Sequence, residues 1–506
     1  MPVKKKDPKE EENKIYDEYF GYTKELKSQY GNRSLVLMLV GAFFEVYGLR
    51  DIETEEITES NLIDFVTICN LNMSVKMELS KLNDNGNKSV ILMAGVRDYN
   101  LEKYLSMLIA ANYNVAVYIQ DKTQKKITRK LDKIYSPGTY VSFDCNNSQK
   151  LSNNIMSIWI ENFKQYKSNE KLLVCGSSCV NIFTGDVYMF QSEKPYSMSI
   201  TAFDELERFV SIYQPSEVLL IYDKEDSDID KNLQRILQYS GINNDFVKIY
   251  DLHDKKINRC QNQNYIKDII EKTYDDYAFD ICKEFLEYNI STQSLCYLFE
   301  FVKEHNPKII EKLKLPLYSN SSSEIILANH TLSQLNIINS DSSLSQSAGN
   351  LSCVMNLLNR CVTPMGKRLL QYYIAHPTSD IQWLENEYHY TELVINNMSH
   401  ESLNIRKQMA KMKDLDKLLR QLLVQVLYPS NLCHIFDTLQ YAEKLVQLID
   451  NSEIYKYITN DFDITEKERK VFIEQMKYIM DYMNNHFELQ NCKNIMSMTN
   501  FTQNII

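Results

Sequence analysis

The sequence predicts a multi-domain α/β protein followed by an all-α part, and three observations carry that prediction. A chain of 506 residues, 44% of them apolar, is too long for one core and has the hydrophobic residues to build several. Strand and helix periodicities alternate along the first half, with strands short enough for mixed sheets. After about residue 270 helical spacing takes over. The expected division is a disordered arm at 1–14, a small mixed α/β domain at 15–145, a second α/β domain at 146–268 and a helical region at 269–506.

In chain order, Lys4 to Lys6 followed by Glu10 to Glu12 reads as a solvated arm. Leu35 to Val40 is an apolar strand that continues into Gly41-Ala42-Phe43-Phe44-Glu45-Val46-Tyr47 as one extended segment. Phe43 and Glu45, two residues apart, then share a face. Such a pair ordinarily means a core ring beside a solvated charge; alternatively, the ring stacks on a base and the carboxylate bonds its edge. Polar residues Asn83 to Lys88 mark an exposed loop. Leu101, Tyr104, Leu105, Leu108 and Ile109 form a helical stripe behind Asn100 as N-cap, and Asn112 suits a left-handed turn.

From Leu172 the chain offers a strand, a Thr184-Gly185-Asp186 turn and a second strand at Val187 to Phe190. An amphipathic helix through Phe203, Leu206, Phe209 and Val210 stops at Pro215 and leads into the apolar strand Val218 to Tyr222. In the helical region Thr363 is a good N-cap with Pro364 at the first helical position. Met365, Leu369, Leu370, Tyr373 and Ile374 line one face until Pro377, and Asp380 caps the next helix.

Composition excludes several classes. No run of 18 apolar residues and no signal-peptide pattern occur, so a soluble intracellular protein, cytoplasmic or nuclear and without membrane contact, is expected. Eleven cysteines without paired spacing read as reduced thiols, and eight histidines without ligand spacing predict no metal. The net charge of −11 argues against a broad phosphate-tracking surface. Residues 1–140, however, hold 20 Lys/Arg against 20 Asp/Glu. Within them Lys122, Lys125, Lys126, Arg129, Lys130 and Lys133 are opposed only by Asp121 and Asp132. That run is either a solvated edge or a phosphate-positioning surface centred on Lys125, Lys126 and Arg129.

Four ordered motifs resemble one family. Gly41 to Tyr47 is similar to the G-D-F-Y-E-L-F signature of the DNA mismatch-recognition family MutS. Met93-Ala94-Gly95-Val96 with Leu101-Glu102-Lys103-Tyr104-Leu105 resembles its P-M-A-G-V-P and V-E-N-Y-L. Ile127 to Thr139 resembles V-x-R-x-V-x-x-I-x-T-P-G-T, and Arg360 to Leu370 resembles D-x-T-V-T-P-M-G-x-R-L-L. Asp414 to Leu418 and Tyr428-Pro429-Ser430 are similar to its D-L-E-R-L and S-P-R-D-L elements.

The resemblance implies a mismatch-reading first domain, a ribonuclease-H-like connector and a helical core with the first lever. It implies a partner, double-stranded DNA containing a mismatch, with Phe43 inserting from the minor groove and Glu45 bonding the displaced base. Ala42 and Phe44 depart from the family's Asp and Tyr, which leaves the wedge but alters its surroundings. Asn181 stands where family connectors usually carry Asp, which disfavours a metal-dependent nuclease. No G-x-x-x-x-G-K-[ST] occurs in the 506 residues. The chain is therefore expected not to be an enzyme itself and to hold no cofactor. ATP, Mg and dimerisation belong to a C-terminal ATPase half expected outside it, the chain being a fragment, one half of a split gene or a stand-alone truncation. The competing reading is a structural or assembly partner of MutS descent without lesion sensing.

Overall fold

The computed structural model describes residues 8–82, 88–121, 128–141, 151–164, 171–197, 199–274, 277–318, 331–338, 351–397, 399–450, 452–461, 464–493 and 495. The chain is a mixed α/β and helical protein with two mixed sheets among the described residues. It divides into two compact units: residues 1–140 with 300–309, and residues 141–299 with 310–506.

In the first unit, helix α1 (Pro8–Tyr30) precedes strands β1 (Ser34–Val40), β2 (Phe43–Asp51) and β3 (Ile57–Thr58). Helix α2 (Leu62–Cys69), β4 (Ser74–Leu82), β5 (Lys88–Arg97), α3 (Leu101–Ala110), β6 (Asn114–Asp121) and β7 (Thr128–Tyr135) follow. The sheet runs β4-β5-β2-β1-β6-β7, with β3 beside β2; β1 and β6 are parallel and the other pairs antiparallel. Its core is built from Leu35, Leu37, Val46, Phe65, Leu108, Val115 and their buried neighbours.

Two expectations are corrected. Helix α1 begins at Pro8, inside the stretch expected as a disordered arm. Charge-rich sequence reads as solvated, yet Glu and Lys are good helix formers and Pro is tolerated in a first helical turn. The second correction concerns the segment through Phe43: the chain does not run straight but reverses at Gly41-Ala42, pairing Val40 with Phe43 in a hairpin. Gly41 has φ +63°, the positive value that a two-residue hairpin turn asks of its first position. Asn112, at φ 60°, makes its expected left-handed turn, whereas Asn100 precedes α3 without a side-chain cap bond. The polar loop expected at Asn83 to Lys88 lies, up to Asn87, outside the described residues.

The second unit holds a sheet of order β12-β11-β8-β9-β10-β13. Its members are β8 (Asn154–Lys164), β9 (Lys171–Asn181), β10 (Val187–Pro195), β11 (Glu217–Tyr222), β12 (Val247–Asp251) and β13 (Leu317–Tyr318). Strand β11 lies parallel to both β8 and β12, while β9 is antiparallel to β8 and β10. Helix α4 (Asp204–Tyr213) connects β10 to β11 and α5 (Ser227–Tyr239) connects β11 to β12; both pack Phe203, Phe209, Ile229 and Ile236 against the sheet. Asn181 caps the β9–β10 turn, its Oδ1 accepting from the Phe183 N–H at 3.0 Å.

The start of helix Asn289–His305 approaches β9 closely enough that a Cβ on Gly176 would stand 2.4 Å from the Ser291 nitrogen. Buried serine hydroxyls bond backbone carbonyls across this seam: Ser294 donates to the Ser157 carbonyl at 2.8 Å, and Ser291 donates to the Ser177 carbonyl at 3.3 Å. Further on, Thr363 caps helix Pro364–Ala375 by accepting from the Gly366 N–H, and Asp380 accepts from the Trp383 N–H. Thr465 and Glu468 close a capping box at the head of helix Glu466–His486.

Candidate nucleic-acid interface

Alternation along β2 sends Phe43, Glu45 and Tyr47 to one face and Phe44 and Val46 to the other, where the latter are buried. Helix α1 covers the Tyr47 end of the first face: Tyr16 and Tyr19 meet the Tyr47 ring edge-on at 5.1 and 5.0 Å. Phe43, at the hairpin tip, keeps 40% of its surface exposed. The antiparallel register sets Phe43 opposite Arg97 of β5, whose guanidinium lies 5.6 Å from the Phe43 ring and 5.9 Å from that of exposed Tyr99. The Asp98 N–H donates to the Ala42 carbonyl at 3.0 Å and ties this strand end to the hairpin turn.

Glu45 is buried to 6% exposure, and its setting is polar rather than solvated. Its Oε2 accepts from the Tyr47 hydroxyl and from Lys76 Nζ, the latter at 3.4 Å. Opposite it stands Gly95, where a Cβ would come within 3.2 Å of the Phe44 carbonyl oxygen and 3.4 Å of Glu45 Cγ. Burial raises the Tyr47 phenol well above its ordinary range, and its hydrogen bond to Glu45 adds to the rise. Tyr47 therefore stays protonated and donating, which fixes Oε2 as an acceptor and leaves Oε1 as the second oxygen of the group.

An exposed ring flanked by a guanidinium can stack on a planar base, and Arg97 places positive charge beside it. The structure thus brings Phe43 and Glu45 onto one face. It also adds Arg97, Tyr99 and Lys76, which motif reading missed, and makes Tyr47, a member of the motif, the donor to Glu45. Strand pairing, which is not written in local spacing, brings in Arg97 and Lys76. The basic run is not assembled in the same way. Lys125 and Lys126 lie outside the described residues. Arg129, on β7, turns its guanidinium to Glu18 of α1 at 3.6 Å, so a carboxylate already offsets its charge. Lys130 is exposed.

A group that sequence spacing hides lies at the carboxyl ends of β11 and β12. Ligand-type atoms of Asp223, Asp251 and His253 stand within 4.8 Å of one another. They are engaged among themselves: His253 Nε2 lies 3.3 Å from Asp223 Oδ1, and the His253 N–H donates to Asp251 Oδ1 at 3.1 Å. Among the described residues no helix is long and apolar enough to cross a membrane.

Two family models and several relatives match the chain. The family model described as MutS domain I matches residues 69–144, and that of MutS domain III matches residues 330–493. The Phe43 hairpin precedes the first match. The chain is 25% identical to a DNA mismatch repair mutS homologue of Acanthamoeba polyphaga mimivirus, covering 93% of this chain and 42% of that protein. It is 24% identical to DNA mismatch repair protein MutS of Caldanaerobacter subterraneus, over 78% of this chain and 42% of the relative. It is 23% identical to the mitochondrial mutS homologue of Sarcophyton glaucum, over 87% and 46%. The chain thus spans less than half the length of the relatives it matches.

Proposed function

Because the chain belongs to the MutS family, we propose that it binds mismatched double-stranded DNA in mismatch repair and reads the defect with the tip of its first hairpin. The observation that carries this reading is the pairing of a ring left exposed at the start of β2 with a buried, partnered carboxylate two residues on, on the same face. Phe43 enters from the minor groove at the mispair, where stacking is already weakened and unstacking costs least. Glu45 bonds the displaced base through the oxygen that Tyr47 and Lys76 do not hold. Arg97 steadies the Phe43 ring and offers its charge to a backbone phosphate.

Residues 15–145 form the mismatch-reading domain, 146–268 a ribonuclease-H-like connector, and 269–506 a helical core with the first lever. We place ATP and Mg binding, and dimerisation with it, in a P-loop domain outside these 506 residues, since they hold no phosphate-cradling motif.

Fluorescence anisotropy with matched and single-mismatch duplexes tests the reading. With a separately supplied C-terminal half present, the chain is expected to prefer the mismatched duplex, and Phe43→Ala to abolish that preference, a loss of about 1–3 kcal/mol. A Phe43→Ala protein that discriminates as well as the parent would remove the wedge assignment. A parent chain with no preference for mismatches would favour the assembly-partner reading.

A further inference from the structure

Within the second unit, a cavity of about 470 Å³ opens between the β9–β10 hairpin, the end of α4 and the helix Pro364–Ala375. Its size falls in the range of small-molecule sites, and four rings line it. Tyr188 and Tyr213 stack at 4.3 Å, Tyr372 and His376 stack at 4.1 Å, and Tyr213 and His376 connect the two pairs at 6.3 Å. Such walls suit a planar aromatic guest.

Asn154, also in the lining, is 6% exposed. Its Nδ2 donates to the Tyr213 carbonyl, while its buried Oδ1 accepts from no donor among the described residues. An unpaired buried acceptor is costly, and a guest that brings an N–H removes the cost. The charged groups in the lining are already matched. Asp186 accepts from Lys314 at 2.7 Å and from the Thr184 hydroxyl, and Asp416 is bonded to Arg368 at 2.7 Å. Among the described residues the cavity therefore shows no unmatched charge and no uncommitted cation for a phosphate.

We propose that this cavity is a binding site for an uncharged amino-substituted purine, as free base or nucleoside, whose ring lies against the tyrosine and histidine stacks and whose exocyclic amine donates to Asn154 Oδ1. The site is separate from the hairpin of the first unit and does not depend on the mismatch reading.

The experiment is isothermal titration of the full chain with adenosine, with purine riboside, which lacks the amine, and with adenosine 5′-monophosphate. Adenosine is expected to bind, and purine riboside to bind about 5- to 150-fold more weakly because the buried acceptor stays unmet. The monophosphate is expected to bind no more tightly than adenosine. Since Asn154 also supports the backbone at Tyr213, the protein-side variant is Leu369→Trp, at a half-exposed lining position, which fills the cavity with little strain on the fold. It should lower adenosine affinity at least tenfold at an unchanged melting temperature. Absence of adenosine binding at millimolar concentration would overturn the site, as would full adenosine affinity in folded Leu369→Trp. Equal affinity for adenosine and purine riboside would overturn the role of Asn154, and tighter binding of the monophosphate would overturn the preference for an uncharged guest.

Discussion

Arg97 in the first unit and Arg368 in the second carry the same side chain to different ends. Arg97 lies across the rings of Phe43 and Tyr99 at the end of β5, where its charge meets aromatic faces. Arg368 is clasped by Asp414 at 2.6 and 2.8 Å, by Asp416 at 2.7 Å and by the Leu151 carbonyl at 3.3 Å. Burial acts to lower its basicity, but the two carboxylates outweigh burial and hold the guanidinium charged beyond its ordinary range. Asp414 at the same time caps the next helix by accepting from the Lys417 N–H, so one carboxylate joins two helices and a cation. A closed cation of this kind organises structure, whereas a cation left over an exposed ring stays available to a partner.

The largest expected effect comes from opening the closed cluster. Arg368→Leu leaves Asp414 buried without its cation and should cost about 3–5 kcal/mol in urea unfolding. A loss below about 1 kcal/mol would mean that the cluster is no more structural than an exposed ion pair. Next in size is the close seam of the same unit. Gly176→Ala drives a Cβ into the Ser291 backbone and should cost about 1–3 kcal/mol, while Gly21→Ala, with nothing within 4 Å, should not destabilise. Equal unfolding midpoints for these two variants would show that the seam relaxes freely.

A smaller effect belongs to Glu102 on α3, where burial raises the carboxyl from 4.5 to about 7. The folded protein then holds a proton that the unfolded chain releases, so stability should fall as pH rises from about 4.5 through about 7. Partial solvent access limits the loss to roughly 1 kcal/mol. Glu102→Gln should flatten that part of the stability–pH curve, and an unchanged slope would place the titration elsewhere. The smallest stability effects are expected at the open cation: Phe43→Ala and Arg97→Ala should each stay within about 0.5 kcal/mol of the parent. Arg97→Ala should nonetheless weaken matched and mismatched duplexes alike and reduce the salt slope by about one. A large loss of stability in Arg97→Ala would erase the contrast between the two arginines.

Much of the architecture could be read from neighbours in sequence. The Thr363-Pro364 helix start, the Asp380 cap, the turn at Gly185 and the strands flanking it depend on groups a few residues apart, and each is where spacing predicts it. The reversal at Gly41 escaped because an apolar run on either side of a turn has the periodicity of one long strand. The helical start at Pro8 escaped because charge-rich sequence forms helix and coil alike.

The sequence by itself determined that Phe43 and Glu45 share a face, since alternation along a strand is a property of the backbone. Only the tertiary structure decided what that face contains. Pairing β2 with β5 put Arg97 beside Phe43, and folding β4 onto β5 brought Lys76 to Glu45. Packing α1 over the sheet buried Tyr47 and turned Arg129 from the basic run to Glu18. These contacts join residues far apart in the chain, whose register is set by burying whole faces together rather than by any local preference.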